Sequence, residues 1–240
     1  MTRSLLTAFV LIPALLGCGP RAYPAKDRVV VFVPGVSGDG PWYDGVKRGL
    51  GDVRIDTLAW GAPMPLFAMN FSNRGIHDAA EAELAKRLRR LAGQRAGRID
   101  IVAHSAGCGV ALGALRRLGE PIIDAVVLLA PSVSPSYDLA PALASVRGNI
   151  HVFHSDRDAL FLSWRTSRFG TYDNVKTKAA GNMGFDVAGL APELRTRVVQ
   201  HAYEPQWREL GNDGTHDGPV ARGFVARVVA PLLGLTPAAP

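Results

Sequence analysis

Short uninterrupted apolar runs alternate along this chain with longer segments whose apolar residues recur every three or four positions. Residues 29–33 (Val-Val-Val-Phe-Val) stop at Pro34-Gly35, as expected of a strand buried on both faces of a parallel sheet. Residues 53–60 form a second strand candidate, and residues 99–103 and 123–129 read as further buried strands. Residues 150–153 and 197–202 complete the set. Between them lie helical patterns: Ile76, Ala80, Leu84, Leu88 and Leu91 mark one face, and Cys108, Ala111, Leu112, Leu115 and Leu118 mark another. Modest helices are expected at 137–146 and 159–168. A clear amphipathic helix is expected at 219–233, with Pro219 in its first turn, where the missing N–H has no intrahelical partner anyway. This alternation predicts an α/β fold with a mainly parallel, doubly wound sheet and helices on both faces. Ligands of such sheets bind at the carboxyl ends of the strands.

With 240 residues, 48% of them hydrophobic, the chain is long enough for one substantial core and short for two. Residues 28–235 are therefore read as a single domain and residues 236–240 as a flexible tail. No fixed-period repeat points to a solenoid or propeller.

The first seventeen residues differ from the rest. Arg3 precedes an almost wholly apolar stretch at 5–16, and Gly17-Cys18 follows. That is the plan of a secretory signal; the run is short of the ~20 residues that span a bilayer. Leu15-Leu16-Gly17-Cys18 resembles a bacterial lipobox, which implies cleavage before Cys18, a lipid on that cysteine, and a tether over residues 18–27. A plain cleaved signal is the alternative. The implied location is the cell envelope, with membrane attachment through Cys18. A lipidated Cys18 leaves Cys108 alone, with neither an intramolecular disulfide nor a thiolate metal cluster available.

The formal charge is +6. Lys86, Arg87, Arg89, Arg90, Arg95 and Arg98 carry much of the excess, and they read as the solvated face of a helix in preference to a patch for anionic lipid or polymer. No nucleic-acid partner is expected.

The chemistry begins at His104-Ser105-Ala106-Gly107, between the buried strand at 99–103 and the helix at 107–118. A serine at a sharp strand-to-helix turn needs small neighbours, and Ala103 and Gly107 supply them. The helix N-terminus beyond offers free N–H groups to a developing oxyanion. From residue 29 to residue 233 the chain resembles an α/β-hydrolase. The resemblance implies a nucleophile at Ser105, followed in chain order by an acid and a histidine. His154-Ser155-Asp156-Arg157-Asp158 looks like the family's His-Gly-x-x-Asp with Ser155 in the glycine place; this aligns the acid with Asp158, Asp156 being the alternative. The histidine implied is His216, in the glycine-rich loop 211–218. His77, His104, His151, His154 and His201 lack the required order and loop position together, and His104 is expected to support the elbow.

Pro34-Gly35-Val36 resembles the family's His-Gly-x loop with Pro34 in the histidine place, so the implied oxyanion donors are the Val36 and Ala106 amides. One such donor is typically worth about 3 kcal/mol. No Gly-Lys-Ser/Thr follows, which argues against a nucleotide loop. The function implied is a serine esterase or related acyl hydrolase working through an acyl-enzyme, with no metal or cofactor required. Its substrate would be a small or polymer-borne ester, with an amide or thioester as alternatives. A non-catalytic envelope lipoprotein that binds through a hydrolase-like body is the competing reading. Trp42, Tyr43, Phe67, Met69 and Phe71 either line an acyl pocket or pack in the core. Arg74, Tyr172, Asp173 and Asn182 are candidate substrate-facing residues.

Overall fold

A computed structural model describes residues 27–63, 66–94, 97–158 and 170–236. The leader, Cys18, the tether up to residue 26, Arg95, the helix expected at 159–168 and the tail beyond residue 236 lie outside the described residues. Six strands, β1 (Arg28–Val33), β2 (Arg54–Thr57), β3 (Arg98–His104), β4 (Ala125–Leu129), β5 (Ile150–His154) and β6 (Val198–Ala202), form one sheet in the order β2-β1-β3-β4-β5-β6. Every neighbouring pair is parallel. Strand order reverses between β1 and β3, where Val33 pairs with Ala103. That switch point opens a crevice at the carboxyl ends.

Successive strand side chains face opposite ways, so each strand feeds two cores. Val29, Val31, Val33, Ile101, Ala103, Leu128 and Val152 pack on one face with α2 (Arg74–Gly93) and α3 (Gly107–Leu118). Val30, Phe32, Val102, Val127, Leu129 and Phe153 pack on the other face with α1 (Asp44–Gly49) and the last helix. Leu84, Leu88, Leu112 and Leu115 are fully buried, and each such side chain stabilises by roughly 1.5–3 kcal/mol. Glycines let α3 approach its neighbours. A Cβ on Gly109 would sit 2.3 Å from the Tyr172 ring, and one on Gly113 would sit 2.2 Å from the Glu81 carboxyl carbon. Glu81, thus brought inside, accepts from Tyr172 Oη and Arg117 Nε at 3.0 Å each.

Several elements differ from expectation. The 137–146 helix shrinks to one turn, Ala140–Leu143, because Pro141 fits only in a first turn. The second strand ends at Thr57, and Trp60 leaves the sheet to bond the Pro34 carbonyl at 2.7 Å. The last helix starts at Arg222 instead of residue 219; Gly218–Val220 is a 3₁₀ turn and Ala221 is extended. Gly45 of α1 packs against that bend, its missing Cβ leaving room for the Val220 carbonyl. The helix widens to π geometry over Val225–Val229, before Pro231, which brings no amide to the ladder. The basic residues of α2 behave as a solvated face: Lys86 and Arg90 are exposed, while Arg87 pairs with Asp56.

Candidate active site

Ser105 joins β3 to α3 with φ 54°, a left-handed conformation that is costly for any residue with a Cβ. Its N–H is held by the Leu129 carbonyl at 3.0 Å, and its own carbonyl accepts from Cys108 N at 3.1 Å. A Cβ on Gly107 would fall 2.3 Å from the Pro34 carbonyl oxygen and 2.4 Å from that of Val33. Only glycine lets the elbow press against the end of β1 in this way.

The Ser105 hydroxyl lies 2.9 Å from His216 Nε2, and His216 Nδ1 lies 2.7 Å from Asp158 Oδ2. The Asp158 carboxylate accepts the hydrogen bond from Nδ1–H, so Nε2 is the acceptor for the serine hydroxyl. Ser105 and His216 are each 8% exposed and Asp158 is 3% exposed, which keeps this line of bonds largely out of water. Asp156 is exposed on the turn two residues earlier, and the carboxylate that meets the imidazole is that of Asp158. The loops carrying these groups are tied down locally. Asn182 Nδ2 donates to the Asp158 carbonyl at 2.8 Å, and Asp158 N–H donates to the Ser155 carbonyl at 3.2 Å. In the histidine loop, Asn212 Oδ1 accepts from Gly214 N, and Asp213 accepts from Thr215 N and Oγ1. Those Thr215 bonds hold the Asp213 carboxyl below its usual range.

Loop 34–36 abuts Ser105, since a Cβ on Gly35 would stand 3.2 Å from Ser105 Cβ. Trp60 Nε1 bonds the Pro34 carbonyl at 2.7 Å, Gly38 N the Gly35 carbonyl at 3.0 Å, and Asn70 Nδ2 the Val36 carbonyl at 2.9 Å. With the Gly35 carbonyl turned toward Gly38, the planar trans peptide points the Val36 N–H the other way. Among the described residues, neither the Val36 nor the Ala106 amide is given to another acceptor.

Beneath Ser105 runs a second chain of hydrogen bonds. Gly35 N–H donates to Tyr43 Oη at 2.9 Å, and Tyr43 Oη stands 2.8 Å from His104 Nδ1. His104 Nε2 stands 3.0 Å from the His216 carbonyl. A carbonyl only accepts, so Nε2 carries the proton, Nδ1 accepts, and the tyrosine hydroxyl donates to it. Complete burial, then the nearby His216 imidazole, pushes the His104 pKa down to about 3, so the ring stays neutral. This chain links the loop after β1 to the backbone of His216 through the residue before Ser105.

Ser105, Asp158 and His216 therefore come together, with the Val36 loop against them, while Cys18 lies outside the described residues. Other expectations change. Tyr43 is a buried linker packed in the core, Trp42 and Met69 are exposed, and Phe71 packs against the core. The Phe67 side chain lies outside the described residues. Tyr172 is buried against Glu81, Asp173 bonds Ser134 and Thr171, and Asn182 secures the Asp158 loop, so each of these three residues has a structural partner. Ser132, whose hydroxyl is 3.1 Å from that of Ser105, has no signature in the sequence.

This architecture defines an α/β-hydrolase. Residues 51–206 match the family described as "Alpha/beta hydrolase of unknown function (DUF900)", and the chain belongs to it. No curated protein matches. Among solved structures, lipase B of Aspergillus fumigatus is similar at 12% identity and TM-score 0.52 over 92% of this chain. The chain spans 57% of that lipase's length. A lipase-esterase related protein from Clostridium acetobutylicum ATCC 824 aligns at 11% identity and TM-score 0.49, over 87% of this chain and 94% of that one. The type II thioesterase BorB, from the borrelidin biosynthetic cluster, aligns at 15% identity and TM-score 0.49, over 90% and 94%. At these identities the likeness concerns the fold alone.

Proposed function

We propose that this protein is a serine hydrolase that cleaves carboxylic esters through an acyl-enzyme on Ser105. One geometry carries the reading: a hydroxyl at a left-handed elbow, 2.9 Å from an imidazole that is itself 2.7 Å from a buried carboxylate. His216 takes the proton of Ser105 as Oγ attacks the carbonyl carbon. The Asp158 carboxylate holds the imidazole tautomer and stabilises the imidazolium. The oxyanion rests on the Val36 and Ala106 amides. His216 then protonates the leaving group, and water clears the acyl group. Every group needed belongs to this chain.

A fluorophosphonate probe tests the reading directly. Wild type is expected to label on Ser105 and the Ser105→Ala variant to lose the label. A folded wild type that never labels and turns over no ester would mark the domain as a binder instead. Profiling of ester, thioester and amide substrates on the chain lacking residues 1–18 then identifies the bond cleaved.

The same proposal places the protein in the cell envelope, anchored by lipid on Cys18. Residues 1–18 alone support this, through the charged start, apolar run and lipobox-like Leu15-Leu16-Gly17-Cys18. No helix among the described residues is long and apolar enough to cross a membrane. Membrane fractionation that is lost on Cys18→Ala is the expected result.

A further inference from the structure

Among the described residues three non-glycine positions have positive φ, and two of them stand side by side at the carboxyl edge: Ser105 at 54° and Ala130 at 45°. Strained backbone of this kind persists where the surrounding structure enforces it, often at functional sites. The first kink lifts the nucleophile. The second turns the chain after β4 back onto it. Ser132 N–H donates to the Ser105 carbonyl at 3.2 Å, the Ser132 carbonyl accepts from Tyr172 N at 2.8 Å, and the Pro131 carbonyl accepts from Gly181 N at 2.8 Å. So anchored, the half-buried Ser132 holds its hydroxyl 3.1 Å from Ser105 Oγ.

Donor counting orients that contact. Ser105 has one hydroxyl proton, directed at His216 Nε2, so Ser132 must donate to Ser105 Oγ. Its own lone pairs stay free, since among the described residues its hydroxyl has no other partner. The strand order sets Ser132 across the nucleophile from loop 34–36, on the side from which His216 arrives. The oxyanion lies toward the loop, so this opposite side receives the incoming water.

We propose that Ser132 seats the water of deacylation, an inference that rests on the acyl-enzyme reading above. In the acyl-enzyme, water donates one hydrogen to His216 Nε2 and the other to Ser132 Oγ. Its oxygen attacks the acyl carbon while His216 takes the first proton. As the tetrahedral adduct collapses, the bond from carbon to Ser105 Oγ breaks. That electron pair takes the proton back from His216, and the carboxylic acid leaves.

The test is steady-state and stopped-flow hydrolysis of an activated aryl ester by wild type, Ser132→Ala and Ser132→Thr, with intact-mass measurement of the acyl-enzyme. With acylation fast, Ser132→Ala is expected to lower kcat about 3- to 10-fold, the equivalent of one lost hydrogen bond. KM should fall by the same factor, kcat/KM should hold, and acyl-enzyme should accumulate; Ser132→Thr, which retains the hydroxyl, should recover the rate. An unchanged kcat overturns the proposal. So does a parallel fall of kcat and kcat/KM without accumulated acyl-enzyme, which would assign Ser132 to acylation. A wild type that never acylates on Ser105 overturns the hydrolase reading itself, and this inference with it.

Discussion

Replacing Tyr43 by phenylalanine deletes one oxygen from the middle of the buried chain that runs from Gly35 to His216. The ring should keep its place, since it packs edge-on to Phe32 with centroids 5.0 Å apart and is 3% exposed. What disappears is the acceptor for Gly35 N–H and the donor to His104 Nδ1, at 2.9 and 2.8 Å. Each buried group left without a partner costs about 1–3 kcal/mol, partly offset by no longer burying the phenol hydroxyl, for a net loss of about 2–4 kcal/mol. For a domain of this size the melting temperature should fall by roughly 2–4 °C per kcal/mol. The catalytic effect should be separable. Loop 34–36 loses one of its pins and no substrate contact, so kcat should drop about 10- to 100-fold with KM little changed, within the range for a weakened oxyanion site. Calorimetry or circular dichroism gives the first quantity and ester hydrolysis far below the new melting temperature gives the second. A variant that melts lower yet turns over like wild type would refute the link between Tyr43 and the oxyanion loop. One that melts like wild type would refute the burial argument.

Asp158→Asn should lower kcat by up to about four orders of magnitude by favouring the wrong imidazole tautomer, whereas Asp156→Asn, on the exposed turn, should leave esterase activity within about twofold; equal losses in the two kinetic assays would remove Asp158 from its assigned role. Acidification should destabilise the fold through His104. Its folded pKa of about 3 lies below its ordinary 6.5, so the penalty is absent above about pH 6.5 and grows as pH falls toward 3. It amounts to about 2 kcal/mol at pH 5. Urea midpoints at pH 7 and pH 5 should diverge in wild type and converge in part in His104→Gln, and a flat wild-type profile would contradict the neutral buried ring.

The parts of this molecule written in its sequence are those where one local rule decides. Residues 29–33 and 99–103 are buried on both faces, so continuous apolar runs reveal them, and the elbow at Ser105 shows through its small neighbours. Asp158 and His216 are singled out only by chain order and resemblance, because nothing local distinguishes Asp158 from Asp156; which carboxylate meets the imidazole depends on which one the loop turns inward. Tyr43 carries no sequence signal beyond its aromatic neighbours, which suit pocket or core alike, since its role arises from groups 8 and 61 positions away. Ala130 and Ser132 left no trace at all. Alanine is not a residue that announces a left-handed turn, and the bond between Ser132 and Ser105 exists only once β3 and β4 lie side by side. Periodicity starts the final helix three residues too early, at 219, because the extended Ala221 reflects packing against Gly45, which periodicity cannot register.

All six strands run the same way, so each loop of the site waits for its own strand to dock. Ser105 and His216 are separated by 111 positions, and Asp158 and His216 by 58. As the chain leaves the ribosome, β1, β3 and the elbow can assemble while the histidine is still unmade. The hydroxyl is then an ordinary, inert alcohol. On the acyl-enzyme reading proposed above, reactivity would be acquired last, when the C-terminal quarter closes over the sheet, so a truncated or half-folded copy would carry no activated serine.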